Sequence, residues 1–134
     1  MASRQYLALD VGEKRIGVAI ADDGVKIAVA YDTLAVDGTE IDQIGELLVS
    51  ESIDTLVIGY PRNQSGEPTQ QTAYVEAFAE QLRRFDVPLV FQDESVTSVQ
   101  AESLLKRQNR PYEKGDIDAV AASLILQDYL EQQG

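Results

Sequence analysis

Five acids stand where they could do chemistry. Asp10 lies in LALDVGEKRIGVAIAD, Asp93 and Glu94 close VPLVFQDE, and Asp116 and Asp118 open DIDAVAASLILQDYL. A carboxylate at the end of an apolar strand is costly to bury unless something compensates its charge. The chain contains no His and no Cys, which removes the commonest general base and all thiolate chemistry. Carboxylates gathered in one place repel each other unless a cation neutralises them. Hard oxygen ligands suit Mg²⁺ or Mn²⁺. Two such ions about 3.5–4 Å apart can activate water and stabilise the leaving oxygen of a phosphodiester. That chemistry needs neither His nor Cys.

For the acids to meet, the elements must carry them to one edge. Gln5–Val11 and Arg15–Ala21 read as two strands around a short turn containing Gly12. VKIAVAYDTL reads as a third strand, joined to the second through Asp23-Gly24, a hairpin signal. Thr39–Ser52 carries Ile41, Ile44, Leu47 and Leu48 at helical spacing. IDTLVIGYP is a short, nearly continuous apolar run, as a buried parallel strand would be. A loop rich in Pro, Asn, Ser and Gly follows from Tyr60 to Pro68, and then a helix over Thr69–Phe85 with Ala73, Tyr74, Ala77, Phe78 and Leu82 on one face. VPLVFQDE reads as the fifth strand, and Thr97–Gln100 as a capping box opening the next helix. A polar stretch from Arg107 to Gly115, with Gly115 as a hinge, leads to a last helix with Ile117, Val120, Ala121, Leu124 and Ile125 on one face. This order predicts an α/β fold with a mixed five-stranded sheet, strand order 3-2-1-4-5, flanked by helices. Asp10 then falls near the C-terminal end of the central strand, opposite Gly17, and Gly17 and Ala19 leave space above it. Asp93 and Glu94 reach the same edge if their strand runs parallel to the first. On the last helix Asp116 and Asp118 differ by roughly 200° in direction, so both cannot face the sheet. Asp116, after Gly115, is placed to cap that helix. Ala121 and Ala122, one turn beyond Asp118, allow close approach to a sheet.

The chain of 134 residues is expected to form a single domain, 1–134. No apolar run approaches a membrane span, and MASRQYLALD lacks a signal-peptide pattern, so a cytoplasmic protein without a membrane partner is expected. The sequon Asn63-Gln64-Ser65 is therefore read as chance. A net charge of -12 runs against phosphate binding, which needs local positive potential. Lys14, Arg15, Arg62, Lys106, Arg107, Arg110 and Lys114, with Asn63, are the candidates for a positive, nucleic-acid-binding rim around the acids.

LALDVGEKRIGVAIAD, VIGYPRNQSGE, DESVTSVQAESLL and DIDAVAASLILQDYL together resemble the YqgF, or RuvX, family of Holliday-junction resolvases and pre-16S rRNA nucleases. The resemblance spans nearly the whole chain. It implies a ribonuclease H-like fold and a nuclease using two Mg²⁺ or Mn²⁺ ions. By position, the family's catalytic and metal-holding acids fall at Asp10, Glu94 and Asp118. Asp118 fits better than Asp116 because of its spacing to Ala121-Ala122. Implied partners are ribosomal RNA precursor or branched DNA, with ribosomal particles; oligomeric state is open. The family usually follows its DE with arginine, where this chain has Ser95, and often has two threonines where this chain has Thr97 and Ser98. The alternatives are a nucleic-acid- or ribosome-associated factor with weak or no cleavage, and an actin- or sugar-kinase-like phosphotransferase. The latter normally needs two such domains.

Overall fold

The structure is a computed structural model that describes residues 4–61, 70–94, 106 and 114–133. Strands β1 (Gln5–Val11), β2 (Arg15–Asp22) and β3 (Val29–Ala35) form an antiparallel meander. Helix α1 (Glu40–Ser50), strand β4 (Thr55–Pro61), helix α2 (Gln70–Leu82), a 3₁₀ turn over Arg83–Phe85, strand β5 (Leu89–Glu94) and helix α3 (Lys114–Gln133) complete the described elements. The sheet order is β3-β2-β1-β4-β5, with β1–β4 and β4–β5 parallel, as expected.

The sheet separates two apolar layers. On one face Leu7, Leu9, Ile16, Val18, Leu56 and Ile58 pack against α1 and α2. On the other, Tyr6, Ala8, Ala19, Ala21 and Val57 pack against Ala122, Ile125, Leu126 and Leu130 of α3. Strand alternation explains the split, since residues i and i+2 share a face. β1 has helices over both faces, which is why its run from Tyr6 to Leu9 is buried throughout.

Five expectations shift in detail. The third strand starts at Val29, not Val25. An Asp22 carboxylate oxygen accepts the Gly24 N–H at 2.6 Å, and the Lys26 N–H donates to the Asp22 carbonyl at 2.8 Å. Lys26 takes a left-handed φ of 61°, so the chain is still turning where alternation predicted strand. In α2 the buried stripe is Val75, Phe78, Ala79 and Leu82, while Ala73 and Ala77 are exposed. Both stripes have helical spacing and share Phe78 and Leu82, but the helix is turned so that Val75 and Ala79 join the core and Tyr74 packs at its margin. In α3 the buried stripe is Ala119, Ala121, Ala122, Ile125, Leu126 and Leu130, with Ile117, Val120 and Leu124 only half-buried. α3 also begins at Lys114, which puts Gly115 inside the helix rather than at a hinge and Asp116 in the first turn rather than at the cap. The capping box at Thr97–Gln100, the loop from 62 to 68 and most of the stretch from 107 to 115 lie outside the described residues, while Lys106 is helical.

Candidate active site

The site starts from a turn. The Gly12 N–H donates to the Arg15 carbonyl at 3.0 Å, closing the β1–β2 connection. A Cβ on Gly12 would meet that carbonyl oxygen at 2.7 Å, so the turn requires glycine. With the turn fixed, Asp10 pairs with Gly17, as the spacing predicted.

Gly17 leaves a vacancy, and α3 fills it. A Cβ there would stand 1.9 Å from the Asp118 carbonyl oxygen and 2.9 Å from the Ala119 nitrogen. The expected open space above Asp10 is thus taken by the backbone of α3 at Asp118. Cross-strand partners have Cα atoms about 5 Å apart. The α3 backbone therefore rests one residue's width from Asp10, on the face toward which Asp10 points. Ala122 and Ile125, one and two turns on, are buried against the sheet. Asp118 lies on that buried stripe.

Glu94 arrives from the far side. Gly59 pairs with Gln92 and Pro61 with Glu94, so Glu94 holds a register position on the α3 face. Leu9 pairs with Ile58, which sets Asp10 level with Gly59 and Gln92. By strand spacing and rise, the Asp10 and Glu94 Cα atoms are on the order of 12 Å apart. Gly59 contributes no side chain between their columns. The Glu94 side chain lies outside the described residues. Among the described residues no three acids come close enough together to hold an ion.

A cleft of about 390 Å³ opens beside Asp118, lined by Gly12, Glu13, Lys14, Arg15, Gln71 and Asp118. Arg15 donates from Nε to Oδ2 of Asp118 at 2.6 Å. Gln71 donates from Nε2 to the Val11 carbonyl at 3.1 Å, tying α2 to the turn. Burial first, then Glu13 and Glu40, push the Tyr74 phenol on α2 above its ordinary value. In kind, the donors suit a hard divalent cation. Asp10 and Asp118 supply carboxylate oxygens on one face, and a guanidinium already sits on Asp118 as a cation would.

Of the expected rim, Lys14 and Arg15 line the cleft, and Lys106 is exposed on a helix. Arg62, Asn63, Arg107, Arg110 and the family's replaced position, Ser95, lie outside the described residues, as does the Lys114 side chain. Sequence reasoning missed Gln71 and Gln92. Gln92 is 7% exposed in the row of Asp10, and its one signal was a polar residue inside an apolar strand. Gln71, at a helix start, gave no signal. No described helix is long and apolar enough to cross a membrane.

The family model for RuvX, described as Holliday junction resolvase, matches residues 4–132. A Chloroflexus aurantiacus protein named "Putative pre-16S rRNA nuclease" is 42% identical over 136 residues, covering 98% of this chain and 89% of its own length. A Synechocystis protein of the same name is 39% identical over 130 residues, covering 93% of this chain and 86% of its own. Among solved structures, T. thermophilus RuvC in complex with a Holliday junction substrate matches with a TM-score of 0.61 and 14% identity, covering 97% of this chain and 95% of its own. A Fowlpox virus resolvase bound to Holliday junction DNA matches at 0.56 and 13%, covering 96% and 98%. At such identities these two structures speak to the fold.

Proposed function

The chain belongs to the RuvX, or Holliday junction resolvase, family, and from that premise we propose a divalent-cation-dependent nuclease whose substrate is ribosomal RNA precursor. One observation carries the reading: the α3 backbone at Asp118 is seated on Gly17, the cross-strand partner of Asp10. Two acids far apart in sequence are thereby brought to one sheet edge, with Glu94 approaching on the parallel strand β5.

Asp10, Glu94 and Asp118 would hold Mg²⁺ or Mn²⁺, in all two ions. Bound there, the ions would supply activated water and charge stabilisation for the leaving oxygen. Hydrolysis adds water across one phosphodiester, breaking one P–O bond and forming another, and leaves a hydroxyl and a phosphate monoester. Lys14 and Arg15 supply positive charge at the cleft mouth and orient the phosphate. Arg62, Asn63, Lys106, Arg107, Arg110 and Lys114 are assigned, on their charge and polarity in the sequence, to further contact with the nucleic-acid backbone. RNA is preferred over branched DNA because relatives at 42% and 39% identity carry the rRNA name, whereas the junction-bound structures are 13–14% identical. Ribosomal particles follow as partners from that substrate.

The test offers a precursor of small-subunit ribosomal RNA and a four-way DNA junction side by side, with Mg²⁺, Mn²⁺ or chelator. Metal-dependent shortening of the RNA 5′ end is expected. Cleavage of the junction alone would reassign the substrate. Binding without cleavage of either would make the chain a non-catalytic factor.

A further inference from the structure

Asp118 already has a cation on it. Arg15 Nε stands 2.6 Å from Oδ2, the length of a charge-assisted bond. The Asp118 side chain is 22% exposed and that of Arg15 40% exposed, so the pair is neither sealed in core nor freely solvated. Its geometry follows from β2: Arg15 and Gly17 share a strand face, so the Gly17 contact that seats α3 also brings Asp118 over Arg15. The bond to Asp118 runs through Nε. Arg15 itself lines the cleft shared with Lys14 and Gln71.

Building on the nuclease reading, we propose that Arg15 is a positioning residue that acts as the counter-cation of Asp118 while the metal is absent. On metal binding it hands over the carboxylate, and its freed guanidinium turns to a substrate phosphate. Two physical facts motivate this. A carboxylate oxygen engaged by a guanidinium is less available to a divalent ion. A guanidinium matches a phosphate through a planar fork of donors, which a bond through Nε leaves half unused. Arg15 would therefore couple metal loading to phosphate binding. Metal should strengthen nucleic-acid binding by adding one phosphate contact, and the free enzyme should hold Asp118 in place before any ion arrives.

The experiment is calorimetric titration of Mn²⁺ alone into wild type, Arg15→Gln, Lys14→Gln and Asp118→Asn. Lys14 shares the cleft, and no bond to Asp118 is recorded for it, so its variant controls for the loss of a nearby positive charge. Arg15→Gln should tighten Mn²⁺ binding about two- to fivefold, the scale of a partly exposed ion pair. Lys14→Gln should change it less. A single-stranded RNA is then titrated in chelator and in saturating Ca²⁺. The salt slope of wild type should steepen by about 0.7, one single-strand phosphate contact, and that of Arg15→Gln should not. If wild type binds Mn²⁺ and Asp118→Asn does not, while Arg15→Gln equals wild type, equals Lys14→Gln or binds more weakly, the counter-cation role is overturned and the nuclease reading stands. An equal steepening in Arg15→Gln also overturns it. If wild type and Asp118→Asn alike fail to bind Mn²⁺, the metal site itself falls, and this role with it.

Discussion

In the proposed site Asp10 and Asp118 would act through charge, not shape, so their amides should separate function from fold. Asp10→Asn should remove metal-dependent cleavage while leaving the metal-free protein at least as stable, because one member of a repelling acid set is neutralised. Asp118→Asn should also remove cleavage. Its loss of the Arg15 bond should cost less than about 1 kcal/mol, as both side chains are partly solvated. Asp116 stands apart. It lies in the first turn of α3, two residues from Asp118, on a different side of the helix. Asp116→Ala should lose about 0.3–1 kcal/mol of helix-dipole stabilisation and keep activity. Paired thermal unfolding and cleavage assays on the three variants check these outcomes. An inactive Asp116→Ala with an active Asp118→Asn would place the ligand on the wrong acid.

At the scale of elements, the seating of α3 on the sheet is the critical contact. Gly17→Ala would drive a methyl group into the Asp118 carbonyl, only 1.9 Å away, and the obstacle is backbone. The helix must lift, costing about 1–3 kcal/mol for overpacking and moving Asp118 away from Asp10. Melting temperature and cleavage should therefore fall together; a variant keeping both would show that α3 does not rest there. The α1 entrance offers a pH test. Asp37 Oδ1 accepts from the Thr39 hydroxyl at 2.6 Å and from its N–H at 3.0 Å. The Thr39 hydroxyl, then its backbone amide, hold the Asp37 carboxyl below its usual 3.8. The folded value is the lower one, so this stabilisation is full above the unfolded value and is lost as pH falls through the folded value. The gap between the melting curves of wild type and Asp37→Ala should be constant above about pH 5 and should close as pH falls below 3.8. A gap that persists in acid would show that the carboxylate charge is not what caps the turn.

For the whole molecule, a net charge of -12 favours cations and opposes an anionic partner until part of that charge is offset. A cation that binds only the folded chain stabilises it by mass action, about 2.7 kcal/mol at a hundred times the dissociation constant. Mn²⁺ should raise the melting temperature by on the order of 10 °C, and Asp118→Asn should lose most of that rise. An equal rise in the variant would trace the effect to diffuse screening of the acidic surface.

The order of elements, the sheet order and the Asp10–Gly17 pairing were legible in the sequence. Alternation, turn chemistry and short connections constrain those locally. Helical geometry forbids Asp116 and Asp118 from both facing the sheet, and the spacing to Ala121-Ala122 favoured Asp118. What depended on the tertiary structure was contact between distant parts. Gly17 could be read as a space, but not that the Asp118 carbonyl fills it. Arg15 could be read as a cleft cation, but not that Asp118 holds it. Gln71 carries no local signal, because its role is a bond to a carbonyl in another element. The α2 and α3 stripes were displaced for the same reason. A helix with apolar residues on more than one side does not reveal which side the sheet will cover, and that choice belongs to packing.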